Sequence, residues 1–106
     1  MSDSSQLLKG LMDGVILKII CKEETYGYEI YTKLQLLGFT DFAEGSLYPL
    51  LLRLEKKGLI LGVKKESKIG PSRKYYTLTE KGIEEMESFK TAWDKITEAV
   101  KVLWEE

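Results

Sequence analysis

Residues 45–63 read Gly45-Ser46-Leu47-Tyr48-Pro49-Leu50-Leu51-Leu52-Arg53-Leu54-Glu55-Lys56-Lys57-Gly58-Leu59-Ile60-Leu61-Gly62-Val63. Two periodicities meet at Gly58. Before it, Leu47, Leu50, Leu51 and Leu54 recur three and four residues apart, which gathers them on one side of a helix. After it, Leu59 to Val63 reads as a strand, Glu66 to Ser72 as a turn-rich tip around Gly70-Pro71, and Lys74 to Leu78 as a returning strand. A helix that runs straight into a β-hairpin decides the fold. Pro49 constrains the helix start, because proline suits the first turn and disrupts later ones. Either the regular helix begins near Ser46, or it loses one hydrogen bond at Pro49.

Toward the N-terminus, Leu8, Leu11, Met12, Val15, Ile16, Ile19 and Ile20 form one broad stripe of a first helix. Gly10 and Gly14 lie four apart on another side, where they either admit a second helix closely or merely loosen the turns. Cys21 ends the apolar run and is expected as a buried packing residue. Lys22 to Thr25 breaks the pattern, with Thr25 as the expected cap of a second helix from about Tyr26 to Leu37. Tyr26, Ile30, Leu34 and Leu37 would line its inner face, and Gly38 would stop it. Beyond the hairpin a last helix runs from near Thr79 to about Trp104. Its Met86, Phe89, Trp93, Ile96, Val100 and Leu103 alternate spacings of three and four, three heptads of an apolar seam. Such a seam wants a partner, so a homodimer is expected.

Composition narrows the function. The chain of 106 residues has room for one compact domain. It contains no histidine and one cysteine, which removes the commonest general base, the usual zinc ligands and any intramolecular disulfide. An enzyme is not expected, nor a metal or a cofactor. Apolar runs are too short to cross a membrane, and Met1-Ser2-Asp3-Ser4-Ser5 lacks the basic start of a secretory signal. The expected compartment is the cytoplasm. Net charge is -1, but residues 1–43 carry -2, residues 44–74 carry +5 and residues 75–106 carry -4. A basic centre beside an acidic end points to anion contact by the helix and hairpin, and to a different task for the last helix.

Three helices, a hairpin and a long final helix make a mainly α chain with a small β-hairpin. This is the winged helix-turn-helix arrangement followed by a long C-terminal dimerisation helix. Residues 1–78 would form the DNA-binding part and residues 79–106 the dimerisation helix, within one structural domain. In that arrangement the third helix enters the major groove and the hairpin tip touches phosphates. The residues resemble the PadR family: Tyr26-Gly27-Tyr28-Glu29-Ile30; Gly45-Ser46-Leu47-Tyr48-Pro49 with Arg53-Leu54-Glu55 and Gly58-Leu59-Ile60; and Gly70-Pro71 with Arg73-Lys74-Tyr75-Tyr76, Leu78-Thr79 and Gly82. The resemblance covers nearly the whole chain. It implies cytosolic dimeric repressors, many of which control detoxification or efflux genes.

With the four leucines inward, Gly45, Pro49, Leu52 and Lys56 face outward, flanked by Tyr48 and Arg53. Ser46 and Tyr48 supply hydroxyls for phosphate or base edges of double-stranded operator DNA, and Gly45 permits close approach of the backbone. The plainer alternatives are that Tyr48 packs beside the wing and that Ser46 caps the helix. Leu52 is exposed on this reading, where relatives in the family often carry a polar or basic residue. Alternate strand residues point oppositely, so not every wing cation can face DNA, and Lys68 and Arg73 are the selected contacts. One of Tyr75 and Tyr76 belongs to the core. Trp93 sits mid-seam as a dimer anchor or, with its partner copy, as a border of an opening that stacks on a planar aromatic inducer. Phe89, Met12 and Val15 are the further candidate lining. A winged domain that binds proteins without touching DNA is the rival reading, which the basic third helix and wing disfavour.

Overall fold

The structure is a computed structural model that describes residues 4–66 and 70–106. Its elements are α1 (Ser4–Lys22), β1 (Thr25–Tyr26), α2 (Gly27–Leu37), α3 (Glu44–Lys56), β2 (Ile60–Lys65), β3 (Arg73–Leu78) and α4 (Glu80–Glu105). The expected order is present, with one addition. Thr25 and Tyr26 pair antiparallel with Tyr76 and Tyr75, so the hairpin becomes a three-stranded sheet in the order β1-β3-β2. Two residues are too few for an alternating pattern to announce a strand.

This small strand corrects the role expected of Thr25. Its side chain is buried and its hydroxyl donates to Glu29 Oε1 at 2.5 Å, while Tyr26 occupies the N-cap of α2 without a side-chain bond. Sheet pairing turns Thr25 toward the core, away from the orphan amides that a cap would serve. Leu37 also departs from expectation, being exposed at the end of α2. Gly38 does stop that helix, in the left-handed region at φ 108°, and donates to Gln35 and Leu34 carbonyls. In α3 the helix begins at Glu44, so Pro49 lies inside it. The second alternative at Pro49 therefore holds, and the Gly45 carbonyl loses its helical donor.

The core gathers Met12, Ile16, Leu17 and Ile20 of α1 with Ile30 and Leu34 of α2, Leu47, Leu51 and Leu54 of α3, and Tyr76 of β3. Leu17 lies off the stripe read from the sequence yet is fully buried. The reason is that α1 is flanked by α2, β3 and α4 together, so more than one of its sides is covered. Cys21, expected inside, is exposed, because it lies with Lys18 and Lys22 on the uncovered side of the last turn, whose Ile19 and Ile20 face the core. Gly14 faces α4 so closely that a Cβ there would lie 2.1 Å from the Phe89 ring, whereas Gly10 meets open space.

Helix α4 is joined to the rest at its first turn. Thr79 caps it, accepting from the Gly82 amide at 3.0 Å, and donates to the Gly58 carbonyl at 2.7 Å. A Cβ at Gly82 would lie 2.0 Å from the Leu59 carbonyl oxygen, so only glycine fits this crossing. Lys81 donates to the Lys57 carbonyl at 2.9 Å. From this anchorage α4 runs outward, and the chain extends 57 × 33 × 20 Å.

Candidate nucleic-acid interface

The four leucines of α3 orient its outer face. Leu47, Leu51 and Leu54 are buried and Leu50 is half-buried, while Gly45, Ser46, Tyr48, Pro49, Leu52, Arg53 and Lys56 are exposed. Gly45 has no atom within 4 Å of where its Cβ would stand, leaving its backbone open to a close neighbour. The Tyr48 ring lies over the start of α2, where a Cβ on Gly27 would come within 2.6 Å of Tyr48 Cε1. Tyr48 thus packs on the start of α2. Its hydroxyl donates to Glu44 Oε2 at 3.1 Å. Burial first, and then the bond and charge of Glu44, push the Tyr48 hydroxyl above its ordinary pKa. Ser46 makes no side-chain cap, since Ala43 holds the N-cap position of α3.

Arg53 is paired with Asp13 of α1. The wing cations are held in a similar way. Lys74 donates to Glu55 Oε1 of α3 at 2.7 Å, a bond that keeps its ammonium above the usual lysine range. Lys65 donates to Glu24 at 2.7 Å, and the Arg73 guanidinium lies 4.5 Å from the centre of the Tyr26 ring. Register places Lys64 and Lys74 opposite one another, two positions from the Gly62–Tyr76 pair, and places Lys65 opposite Arg73. Lys64 and Lys74 therefore share the face of buried Tyr76, while Lys65 and Arg73 share the face of Tyr75. Tyr76 is the core tyrosine, and Tyr75 meets Tyr26 edge-on at 5.3 Å. Lys68 lies outside the described residues.

On the other side of α1, a groove of about 800 Å³ opens between α1, α2 and α4. Val15, Phe89 and Trp93 line it, and the Phe89 and Trp93 rings stack at 6.4 Å with 14° between their planes. Met12 does not join them. It is 2 % exposed, and the edge it shows lines a second groove, beside Ser46, Pro49 and Arg53. Three residues apart on α1, Met12 and Val15 line different grooves. Leu36 of α2, absent from the sequence reading, and Leu37, expected on the inner face of that helix, line the first groove. Farther along α4, Ile96, Val100 and Leu103 are 59 %, 51 % and 60 % exposed, and Met86 is half-buried.

The family model described as the transcriptional regulator PadR-like family matches residues 16–88. This chain belongs to the PadR-like family of transcriptional regulators. Its role is regulatory rather than enzymatic. The PadR-like regulator of Bacillus cereus strain ATCC 14579 is 51 % identical, with 95 % of this chain and 98 % of that one covered and a TM-score of 0.88. A Streptococcus transcriptional regulator is 40 % identical over 92 % of this chain and 96 % of that one, with a TM-score of 0.84. The Bacillus subtilis PadR, solved in complex with operator DNA, is 27 % identical over 74 % of this chain and 45 % of that one, with a TM-score of 0.68. No helix among the described residues of this PadR-like chain is long and apolar enough to cross a membrane.

Partners of the site cations were the part that sequence reasoning missed. Asp13 and Arg53 are 40 residues apart, and Lys65 and Glu24 are 41 apart, beyond any local spacing rule. Glu44 and Tyr48, four apart on one helix, carried a readable signal.

Proposed function

We propose that this PadR-like chain is a cytosolic, dimeric, ligand-responsive repressor that binds operator DNA through α3 and the wing. The observation that carries the reading is the exposed α3 face, with Gly45, Ser46, Tyr48, Pro49 and Arg53 turned outward by the leucines that anchor it. The complex of Bacillus subtilis PadR with operator DNA supports the same role for this relative. Gly45, Ser46 and Tyr48 approach the groove, while Lys68 and Arg73 contact phosphates on the flanks. Residues 1–78 carry the DNA contact and residues 79–106 the dimer contact. Met86, Phe89, Trp93, Ile96, Val100 and Leu103 close on a second copy, which spaces two recognition helices for successive major grooves about 34 Å apart.

The inducer enters beside Trp93 and Phe89, with Val15 in the wall. Around that groove Lys33 is paired with Glu23 and Lys90 with Asp94, which leaves Lys18 and Lys22 against Glu87, so a planar aromatic compound bearing an acidic group suits it better than a planar cation. Bound there, such a compound shifts the dimer away from the geometry that matches DNA, and genes of detoxification or efflux are released.

Gel shift with the duplex upstream of the protein's own gene tests the reading. Binding should weaken with salt, with a log–log slope near -5 if each subunit neutralises about three phosphates. The double variant Lys68→Ala/Arg73→Ala should flatten that slope, and unchanged affinity would remove the wing from the interface. For the inducer, quenching of Trp93 fluorescence by planar aromatic acids is followed in Trp104→Phe. A dye affinity untouched by Trp93→Ala would place the inducer elsewhere.

A further inference from the structure

Helix α3 carries two acidic residues, and they are used differently. Glu55 is half-buried and tied to Lys74 of the wing. Glu44 is exposed at the first position of α3, next to Gly45 and one turn before Tyr48, and it has no cation partner among the described residues. A carboxylate on a face that meets DNA is repelled by phosphates, so it works against affinity. The same face would bind any duplex more tightly with a neutral residue there.

The surroundings of Glu44 are nevertheless built. Tyr48 donates its hydroxyl to Glu44 Oε2 at 3.1 Å, and the Tyr48 ring lies over Gly27, where a Cβ would come within 2.6 Å of Tyr48 Cε1. The hydroxyl is therefore already committed, and its effect is to hold one carboxylate oxygen and leave the other free to accept. Helix termini of this kind place their first residues against base edges in the major groove. A carboxylate there accepts from the exocyclic amino group of cytosine, and no other major-groove group of a G·C pair suits it, since guanine offers only acceptors.

We propose that Glu44 is a specificity-determining residue that reads a cytosine amino group in each half-site, with Tyr48 as the residue that positions it. This rests on the DNA-binding reading above. Glu44 contributes discrimination at the expense of general affinity, and Tyr48 acts through Glu44 rather than as a phosphate donor.

Selection of a random duplex library on the purified full-length protein, followed by sequencing, tests it. The wild type should enrich one symmetric motif with a cytosine at one position of each half-site. Replacing that cytosine should weaken binding about 5- to 150-fold, the fold equivalent of one good side-chain-to-base contact. Glu44→Gln should bind unrelated DNA more tightly and move the preference at that position toward adenine, which glutamine recognises. Glu44→Asp keeps the first-turn charge that favours the helix dipole but shortens the reach, so it should lose the preference while melting at the wild-type temperature. Tyr48→Phe keeps the ring over Gly27 and should blur the same position and no other. A wild type that enriches no motif would sink the DNA-binding reading together with this one. A wild-type motif retained in full by Glu44→Gln and Glu44→Asp would overturn the role of Glu44 alone.

Discussion

Helices α1 and α4 carry the same kind of apolar pattern and meet opposite fates. In α1 the leucine and isoleucine stripe is enclosed, with Ile16 and Leu17 fully buried. In α4 only Gly82 is buried, and the seam from Trp93 onward stands 38–60 % exposed at its apolar positions Trp93, Ile96, Val100 and Leu103. Periodicity is a statement about one helix, whereas burial is a statement about how many neighbours surround it. Helix α1 has α2, β3 and α4 against it. Helix α4 is fastened at Thr79, Gly82 and Phe89 and then leaves its neighbours behind. An apolar seam of that length on a folded chain is the surface proposed above to close on a second copy.

The sharpest way to break this contrast is to truncate α1. Leu17→Ala should lower stability by about 2–5 kcal/mol, because a fully enclosed side chain leaves a cavity. Urea unfolding at fixed protein concentration reads it, and an unchanged midpoint would mean that α1 is not enclosed. On α4 the expected effect falls on association. Ile96→Asp should weaken the dimer at least a hundredfold, about 2.7 kcal/mol, while the far-ultraviolet circular dichroism of the winged part is kept. A mass in sedimentation that does not change would show that the seam is not the interface.

The junction between the two helices refines the comparison through a pair of glycines. Gly14→Ala forces a methyl group against the Phe89 ring and should cost about 1–3 kcal/mol. Gly10→Ala, four residues away and facing open space, should stabilise by up to about 1 kcal/mol through helix propensity alone. Thermal melts that move in the same direction for both would contradict the crossing of α1 and α4. A smaller effect is expected at the wing, where Glu55→Gln removes a partly exposed ion pair with Lys74 and should cost no more than about 1 kcal/mol.

Much of this was written in the chain itself. The change from a period near 3.6 to a period of two at Gly58 announced helix and hairpin, and Gly38, Thr79 and Gly82 marked helix ends, because caps and stops are chemistry between residues close in sequence. The unburied seam of α4 was equally legible, since the wide stripe of α1 already claims the one small winged core. Tertiary structure alone decided the remainder. It turned Thr25 from a cap into a strand residue by bringing Tyr76 beside it, enclosed Leu17, left Cys21 in solvent, and sent Met12 and Val15 to different grooves. It also chose Asp13 for Arg53 and Glu55 for Lys74. Local periodicity tells which side of an element is apolar; which charged group stands 40 residues away yet within a hydrogen bond depends on how the elements cross, and no spacing along the chain records that.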